Sequence, residues 1–532
     1  MSAASPVTRF DALRLPGLRR VARMPRGRLV FQLPMLLFAL LLMYDGFSGP
    51  QRAGQNLATV APWVHYRGLV VLALLLAGNL FCAACPFALP RTVAHRLSVR
   101  GRRWPRILRG KWVAAVSLLA LFFVYEWLDL WASPLLTAWL IAAYFAAAFA
   151  LEAFFTESAF CKYVCPLGTF NFVYSTASPL QIGVRQPDVC RTCVGKDCIN
   201  GRYAAQPVIR VSEITTSPPI PVFVYGEGAA SPASGGEVAA TINAKSFDSA
   251  PSTQHSALIV PGCGTLLFPP TIQSNLDCTL CLDCARACPH DNVGLFARAP
   301  GAELKKPNAW PARWDVSLLV ICLAFLGLLN AFGMTPPVYD LLEGLANSLG
   351  LPGAGLPPAA IDAIVLGLLF VAVGVVLPAG LSVGAAALSR RLGGVSKRDS
   401  LRHTVAAFAP AFVPIGLGFW IAHYSFHFLT GLFTIVPVTQ RFLTDHQIGW
   451  FGAPDWSLGG LPLGVVGMIQ LSALIAGYGV SMWLALQTAQ RLYRRNAMLG
   501  YLAWALLLTG LMLAGWWLIQ QPMEMRGSFL FD

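Results

Sequence analysis

Charged residues are scarce in this chain. Only 12% of its 532 residues are Asp, Glu, Lys or Arg, while 56% are hydrophobic; a soluble domain normally carries about 25% charged residues. The sequence also lacks long polar low-complexity tracts, and its 48 Gly and 38 Pro follow no collagen-like period, which excludes a disordered or fibrous chain. The composition therefore predicts a membrane protein with several transmembrane helices.

Three motifs for cofactors and nucleotides are missing as well. The sequence contains no Cys-x-x-Cys-His, which excludes a covalently attached c-type haem as far as a sequence can. It contains neither Gly-x-Gly-x-x-Gly nor a Walker loop, so nicotinamide binding and ATP-driven transport lack support.

Apolar runs near the ~20 residues needed to cross a membrane recur along the chain. They lie at about 29–47, 68–87, 111–131, 134–156, 315–333, 360–387, 404–431, 462–488 and 498–519. The net charge is +14, and 23 of the 39 Lys and Arg fall in segments 1–28, 88–111, 388–402 and 489–497. By the positive-inside rule these segments face the cytoplasm. We therefore expect nine spans in a bacterial inner membrane, a cytoplasmic N-terminus, a periplasmic C-terminus and no nucleic-acid partner.

Most of the 13 cysteines fall in close groups. Cys278-x-x-Cys281-x-x-Cys284-x-x-x-Cys288-Pro289 is typical of a ferredoxin module, in which the fourth cysteine binds the other of two [4Fe–4S] clusters. Zinc sites usually take two separated pairs instead. The spacing predicts two ligand sets. A first cysteine set contains Cys190, Cys193, Cys198 and Cys288, and a second cysteine set contains Cys263, Cys278, Cys281 and Cys284.

The fourth ligand of the second set rests on weaker grounds. Cys263 stands in Pro261-Gly262-Cys263-Gly264, where glycine allows a close approach of the backbone. The alternatives are that Cys263 is a buried loop thiol beside an incomplete cluster, or that His255 replaces it.

Two further cysteine pairs end predicted spans, at Cys82-x-x-Cys85-Pro86 and Cys161-x-x-x-Cys165-Pro166. Both follow spans that run inward, so both are expected at the cytoplasmic surface, and their repetition suggests a duplicated unit. They are candidates for redox-active disulfides, a soft-metal site or extra cluster ligands. The alternative is that they pack as small hydrophobic residues.

The motif Cys161-x-x-x-Cys165-Pro166-Leu167-Gly168 and the double ferredoxin motif resemble the membrane polyferredoxins of the NapH/NosR type, over about 65–310. The resemblance implies helices that end in such motifs beside a cytoplasmic two-cluster domain. It also implies electron transfer between the quinone pool and a partner reductase or its assembly. The chain departs from the family in the shorter spacing of its first pair, in lacking a flavin-attachment motif, and in the five spans that follow the clusters.

These observations predict an α-helical membrane protein with about nine transmembrane helices and a cytoplasmic ferredoxin-like α+β domain. The expected units are a basic N-terminus at 1–28, a four-helix membrane unit at 29–156, the double-cluster domain at 157–314 with an insertion at 204–262, and a five-helix membrane unit at 315–532.

Several intramembrane ionisable residues are candidate functional groups, because burying them is costly. His423 and His427 share one helix face and are candidates for a quinone or metal site, or for hydrogen bonds to neighbouring helices. Glu152 is the leading candidate for a proton acceptor in quinol oxidation. Glu126 and Asp129 are weaker candidates, and all three acids also suit a solvated helix end.

The leading hypothesis is a membrane iron–sulfur protein that passes electrons between the quinone pool and an unknown redox partner protein, as a candidate component of a quinol dehydrogenase-type oxidoreductase. An alternative is a maturation or metal-handling factor that supplies electrons or a soft metal through the helix-end cysteine pairs. A transporter is a third hypothesis, supported only by the prolines of the seventh span.

Overall fold

The structure is a computed structural model that describes residues 10–24, 26–89, 102–155, 158–203, 258–306, 310–394, 400–493 and 495–523. Within these residues the chain is mostly helical, and eight helices are long and apolar enough to cross a membrane. The protein is therefore a multi-pass membrane protein. His255 and most of the predicted insertion at 204–262 lie outside the described residues.

The N-terminal half contains three long apolar helices, one shorter apolar helix and several short ones. In chain order they are α1 (Pro16–Arg23), α2 (Leu29–Ser48), α3 (Leu57–Ala77), α4 (Leu80–Ala84), α5 (Trp112–Trp127), α6 (Pro134–Phe154) and α7 (Pro166–Tyr174). Helix α5 corresponds to the third predicted span but has only 16 residues, which is shorter than the ~20 that cross a bilayer unaided. The described residues thus contain eight candidate spans, and the count of nine stays a prediction.

The second span differs from its predicted bounds of 68–87. It starts at Leu57 and ends at Ala77, because Gly78 adopts a φ of +78° and stops the helix. A Cβ at Gly78 would lie 2.6 Å from Ser178 Oγ, so only glycine fits this turn. Cys82 and Cys85 therefore lie on and after the separate short helix α4.

A small unit with two antiparallel strand pairs separates the two groups of membrane helices. Its elements are β1 (Leu180–Val184), α8 (Pro187–Thr192), α9 (Asp197–Asn200), β2 (Arg202–Tyr203), β3 (Leu258–Val260), α10 (Asp283–Ala287) and β4 (Val293–Ala297). Strand β1 pairs with β4, with Leu180 opposite Ala297, and β2 pairs with β3. The cysteines of both ferredoxin-type sets belong to this unit.

Residues near the N-terminus pack onto the same unit and do not form a separate tail. Ala297 N donates a hydrogen bond to Phe10 O (2.8 Å), and Leu295 N donates to Asp11 Oδ1 (3.1 Å). Leu13 and Ala22 are buried in one core with the cysteine loops. The basic segment predicted at 1–28 thus contributes structure to the cysteine-bearing unit over its described part.

The C-terminal half adds seven helices. They are α11 (Trp314–Phe332), α12 (Pro336–Ser348), α13 (Pro358–Gly393), α14 (Leu401–Thr430), α15 (Ile435–Asp445), α16 (Leu463–Leu492) and α17 (Ala497–Ile519). Helix α14 is the most buried span, with 89% of its most apolar window inside the protein. A helix that is apolar on all sides suits such a central position, and α14 packs against α3, α11 and α16.

The two halves are joined by buried polar contacts. Trp420 Nε1 on α14 donates a hydrogen bond to the Tyr174 hydroxyl on α7 (2.9 Å). At the other end of the bundle, Arg441 on α15 forms a two-pronged ion pair with Asp45 on α2, with distances of 2.5 and 2.8 Å. Asp45 is buried and also accepts a hydrogen bond from Leu57 N. The C-terminal helices are therefore integrated with the rest of the membrane domain.

Candidate functional site

The first cysteine set surrounds one pocket. Cys190, Cys193, Cys198 and Cys288 all line it. Asn292 links two of them directly, because its backbone N–H donates to Cys288 Sγ (3.4 Å) and its Nδ2 donates to Cys190 Sγ (3.1 Å). The loop from α8 to α9 and the loop before β4 thus meet as the ligand spacing predicts.

The second cysteine set also comes together. Cys263, Cys278, Cys281 and Cys284 lie close enough to act on one another electrostatically. A backbone hydrogen bond to the loop of the first cysteine set holds Cys263 in this position, since Cys263 N donates to Cys198 O (2.8 Å). Leu267 N donates to Cys263 Sγ (3.3 Å).

Gly262 makes that approach sterically feasible. A Cβ at this position would lie 2.0 Å from Ile199 O, far inside van der Waals contact. The sequence predicted a close backbone approach at this glycine, and the structure shows that the neighbour is the backbone of the first set's loop.

Burial suppresses ionisation of these thiols. Desolvation raises the pKa of Cys281 to about 11, and Asp283 adds to this, while Arg28 opposes it. Desolvation also raises the pKa of Cys198 to about 11, with its neighbours Cys288, Cys190 and Cys193 adding to the effect. Thiolates at these positions therefore need a bound cation or cationic group for compensation.

The loops that carry the cysteines have an unusual backbone. Among the described residues, eight non-glycine positions have a positive φ, and six of them lie in these loops: Lys196, Leu266, Asp277, Leu280, Leu282 and Asp291. Left-handed non-glycine residues cost free energy and persist where the surrounding structure imposes them, often at functional sites. Here they turn the chain sharply between successive cysteines.

No group of three or more His, Cys, Asp or Glu side chains in the described residues is close enough to hold a single metal ion. All 13 cysteines are free thiols in the structure.

The two helix-end pairs lie together, which the sequence did not predict. Cys161 interacts electrostatically with Cys82, Cys85 and Cys165, and Cys165 interacts with the first pair. We call these four residues the helix-end set. Two chain segments that are 76 residues apart thus present one group of four thiols.

Hydrogen-bond donors converge on the helix-end set. Cys165 precedes Pro166 at the start of α7, and its Sγ accepts a hydrogen bond from Gly168 N (3.2 Å). Cys85 likewise precedes Pro86 at the start of the turn Pro86–Ala88, where its side chain makes no capping hydrogen bond. Proline favours the first helical position, which makes the preceding cysteine the N-cap. Asn171 Nδ2 donates to Cys82 Sγ (3.4 Å).

Arg28 joins the helix-end set to the second cysteine set. Its guanidinium donates to the carbonyls of Cys82 (3.2 Å) and Ala83 (3.0 Å) and pairs with Asp283 Oδ2 (3.3 Å). Asp283 stands between Cys281 and Cys284. Electrostatic attraction to this carboxylate helps keep the pKa of Arg28 raised despite its burial, so Arg28 is a fixed positive charge between the two groups of thiols.

Glu152 lies at the same junction. It is buried near the end of α6 and lines a small pocket with Cys161, Cys281, Arg28 and Asp283. The structure thus places the predicted proton acceptor between the helix-end set and the second cysteine set. The loop Phe160–Val164 that carries Cys161 is a π turn, a geometry often found at functional sites.

A cavity of about 200 Å³ lies among α2, α3, α5 and α6, directly beside the helix-end set. Phe81, Pro86 and Leu167, which neighbour the helix-end cysteines, form its wall, as does Asn171. The cavity is almost entirely apolar. On the α2 side it is lined by Phe38, which is 40% exposed, so this side faces the surrounding lipid.

A few polar groups reach the cavity. The hydroxyls of Tyr66 and Tyr144 are buried without a hydrogen-bond partner among the described residues. Arg67 is buried, donates to the Tyr125 hydroxyl (3.0 Å) and lies over the rings of Trp63 (4.4 Å) and Tyr125 (4.2 Å). Tyr66 is the last residue of a π turn in α3. None of these residues was singled out from the sequence, because isolated aromatic residues in apolar runs are ordinary.

The remaining predicted residues lie elsewhere. His423 and His427 on α14 are buried next to each other, with ring centroids 4.9 Å apart, and interact with Arg67 without lining the cavity. Glu126 accepts a hydrogen bond from Asn330 Nδ2 (2.9 Å) near the end of α5 that is remote from the cysteines, and Asp129 is exposed beyond it. The structure brings none of these four residues to the thiol groups.

No protein-family model matches this chain, and no curated protein or solved structure matches it either.

Proposed function

We propose that the protein is an electron-transfer component of a bacterial inner membrane, which exchanges electrons between quinone and a redox partner protein through two [4Fe–4S] clusters. The observation that carries the proposal is the grouping of eight cysteines into the two sets of four required by cross-ligation. The resemblance to the NapH/NosR-type polyferredoxins agrees with it.

The donor sets suit such clusters. Each set offers four thiols, which is the number that a [4Fe–4S] cluster needs when each cysteine binds a different iron. Bound clusters of this kind would supply one-electron steps with little structural rearrangement. The chain's own contribution is to donate N–H bonds to the sulfurs, from Asn292 and Leu267, which favours the more negative, reduced state.

The cavity is the proposed binding site for the quinone head group. A cavity of about 150 Å³ in another protein holds a benzene ring, so about 200 Å³ admits a six-membered ring. The unpartnered hydroxyls of Tyr66 and Tyr144 would hydrogen-bond to the ring oxygens, and the buried positive charge of Arg67 would favour negative charge on them. This replaces His423 and His427 as the favoured quinone site.

In the direction of quinol oxidation, two electrons and two protons must leave the ring. The electrons pass singly toward the second cysteine set, which lies across the helix-end set from the cavity. Glu152, which lies two turns beyond Tyr144 on α6, is the proposed proton acceptor on that side.

The test is anaerobic reduction of the purified protein by a short-chain quinol, followed by electron paramagnetic resonance. We expect iron and sulfide for at least two clusters and reduction that a quinone-site inhibitor blocks. The Tyr66→Phe/Tyr144→Phe variant should keep its iron and slow the reduction by about tenfold, which corresponds to about 1.4 kcal/mol of lost hydrogen bonding.

Tyr44→Phe is the matched control, since Tyr44 is an exposed tyrosine on α2 outside the cavity, and it should react at the wild-type rate. Intact clusters that exchange no electrons with quinol or quinone in either direction would refute the proposal. A maturation factor that works through the helix-end cysteines would then be the better account.

A further inference from the structure

The helix-end set has the features of a ligand site in its own right. We propose that Cys82, Cys85, Cys161 and Cys165 together bind a third iron–sulfur cluster, at the surface of the membrane domain. The proposal shares with the proposed function only the premise that the chain binds iron–sulfur clusters, and it does not depend on any reaction with quinone.

The first argument is convergence. Each pair on its own could be a local feature of a helix end, but the structure packs the two segments together. Asn171 on α7 donates to Cys82 Sγ (3.4 Å), and Phe87 packs with Cys161 and Cys165 in one apolar cluster. Four cysteines are the usual complement of a [2Fe–2S] or [4Fe–4S] cluster.

The second argument is the set of donors aimed at the sulfurs. Gly168 N and Asn171 Nδ2 donate to Cys165 and Cys82. These bonds stabilise negative charge on sulfur, as needed by thiolate ligands. The Cys165-Pro166 sequence sets this geometry at the start of α7, because proline leaves the next N–H groups of the first turn pointing at the cysteine.

The third argument is charge. Arg28 lies partly buried between the helix-end set and the second cysteine set and interacts electrostatically with Cys85, Cys161 and Cys281. Its partner Asp283 offsets part of its charge. A fixed cation in this position is expected where an anionic thiolate group is bound in a dry environment.

The helix-end set also resembles the two ferredoxin-type sets in composition. Each of the three groups contains four thiols that act on one another electrostatically. Four thiolates suit an iron–sulfur cluster because each binds its own iron or shares an iron with one other thiolate.

The location of the helix-end set supports a role for the third cluster in electron transfer. The helix-end set lies between the cavity, whose wall contains Phe81, Pro86 and Asn171, and the pocket that Cys161 shares with Cys281. Asn79 spans the same gap, since it is buried, lies near the Cys82 side chain and donates to Cys278 O (3.1 Å). A one-electron centre at this point would connect the membrane cavity to the second cysteine set.

The test measures the iron content of each chain and identifies the types of cluster present. Anaerobically isolated wild-type protein should contain about twelve iron atoms per chain if the third cluster is [4Fe–4S], or about ten if it is [2Fe–2S], against about eight for two cubanes alone. Mössbauer spectroscopy of the wild type distinguishes these cases without any variant.

Cysteine substitutions then show which set binds the additional iron. Cys82→Ser/Cys161→Ser should lose about four or two iron atoms and keep the signals of both ferredoxin-type clusters. Cys322→Ser is the matched control, because Cys322 lies in α11 away from all three sets, and it should keep the full iron content. Cys193→Ser/Cys281→Ser should lose the other clusters and leave the third.

Three results would overturn the proposal: about eight iron atoms in the wild type, an iron content that is the same in the Cys82→Ser/Cys161→Ser variant, or one zinc or copper ion per chain that this variant loses. A disulfide within either pair in the anaerobic protein would also overturn it. Loss of iron only from the ferredoxin-type sets would leave the proposed function standing, whereas absence of all iron would refute both.

Discussion

At the scale of single residues, the polar neighbours of the sulfurs are the groups that can tune a bound cluster. Asn292 donates hydrogen bonds to the sulfurs of both Cys190 and Cys288, which belong to the first cysteine set but lie on two separate chain segments. Asn292 forms no recognisable motif with the cysteines, so it was not identified from the sequence.

Asn292→Ala should lower the reduction potential of the proposed cluster in the first set. The variant removes the hydrogen bond to Cys190 Sγ, and a hydrogen bond to a charged acceptor contributes about 1.5 kcal/mol, or on the order of 60 mV for one electron. Potentiometric titration measures the shift. Asn200→Ala, which removes a bond to the Gly195 carbonyl instead of a sulfur, should leave the potential unchanged.

Arg28→Ala should lower the potential of the proposed cluster in the second set, since it removes a buried positive charge that favours the reduced state. The shift should be on the order of 60 mV, and Arg28→Lys should restore part of it. Arg26, two residues away, is exposed, so Arg26→Ala is the control. An equal shift in Arg26→Ala would show that only the overall charge of the segment matters.

At the scale of elements, the sequence predicted best what depends on local spacing. Three members of each ferredoxin-type set were predicted from the short intervals between cysteines, and the fourth members, Cys288 and Cys263, from the cross-ligation pattern of two-cluster ferredoxins. The end of α3 was misplaced because the apolar run continues past Gly78, and the stop depends on a backbone conformation that hydropathy does not register. The two helix-end pairs come together through tertiary packing, which the spacing of cysteines along the sequence does not predict.

Gly262→Ala tests the loop that delivers Cys263. Its new Cβ would lie 2.0 Å from Ile199 O, so Cys263 must move, and the second set should lose its cluster, as in Cys263→Ala. Iron content and the cluster's paramagnetic signal report the loss. Gly353→Ala is the control, because nothing lies within 4 Å of a Cβ there. Full iron content in Gly262→Ala would mean that Cys263 is not a ligand.

At the scale of the whole molecule, the C-terminal helices are part of the site's scaffold. Tyr424 on α14 lines the cavity, and Trp420 hydrogen-bonds to Tyr174, which follows Cys165 on α7. The sequence predicted five helices here without a role. Their packing against the N-terminal helices could not be read from hydropathy, which reports that a helix is apolar and not which neighbour it meets.

Breaking the Asp45–Arg441 pair should destabilise this assembly as a whole. Arg441→Leu leaves Asp45 as a buried charge without its main partner, which costs about 3–5 kcal/mol and should lower the thermal unfolding midpoint in detergent. Asp45→Asn/Arg441→Leu should recover part of the loss, since no lone charge remains. A thermal unfolding midpoint of Arg441→Leu equal to that of the wild type would contradict this prediction.

The central place of α14 also has a consequence for biogenesis. The last cysteine of the three sets is residue 288, whereas α14 ends at Thr430. At about 5–20 residues per second, a ribosome needs roughly 10–30 s to make the intervening chain. During that interval every thiol has been synthesised but the wall supplied by α14 has not. Iron and sulfide can therefore be delivered to an open nascent site, and completion of α14 then closes the protein around it.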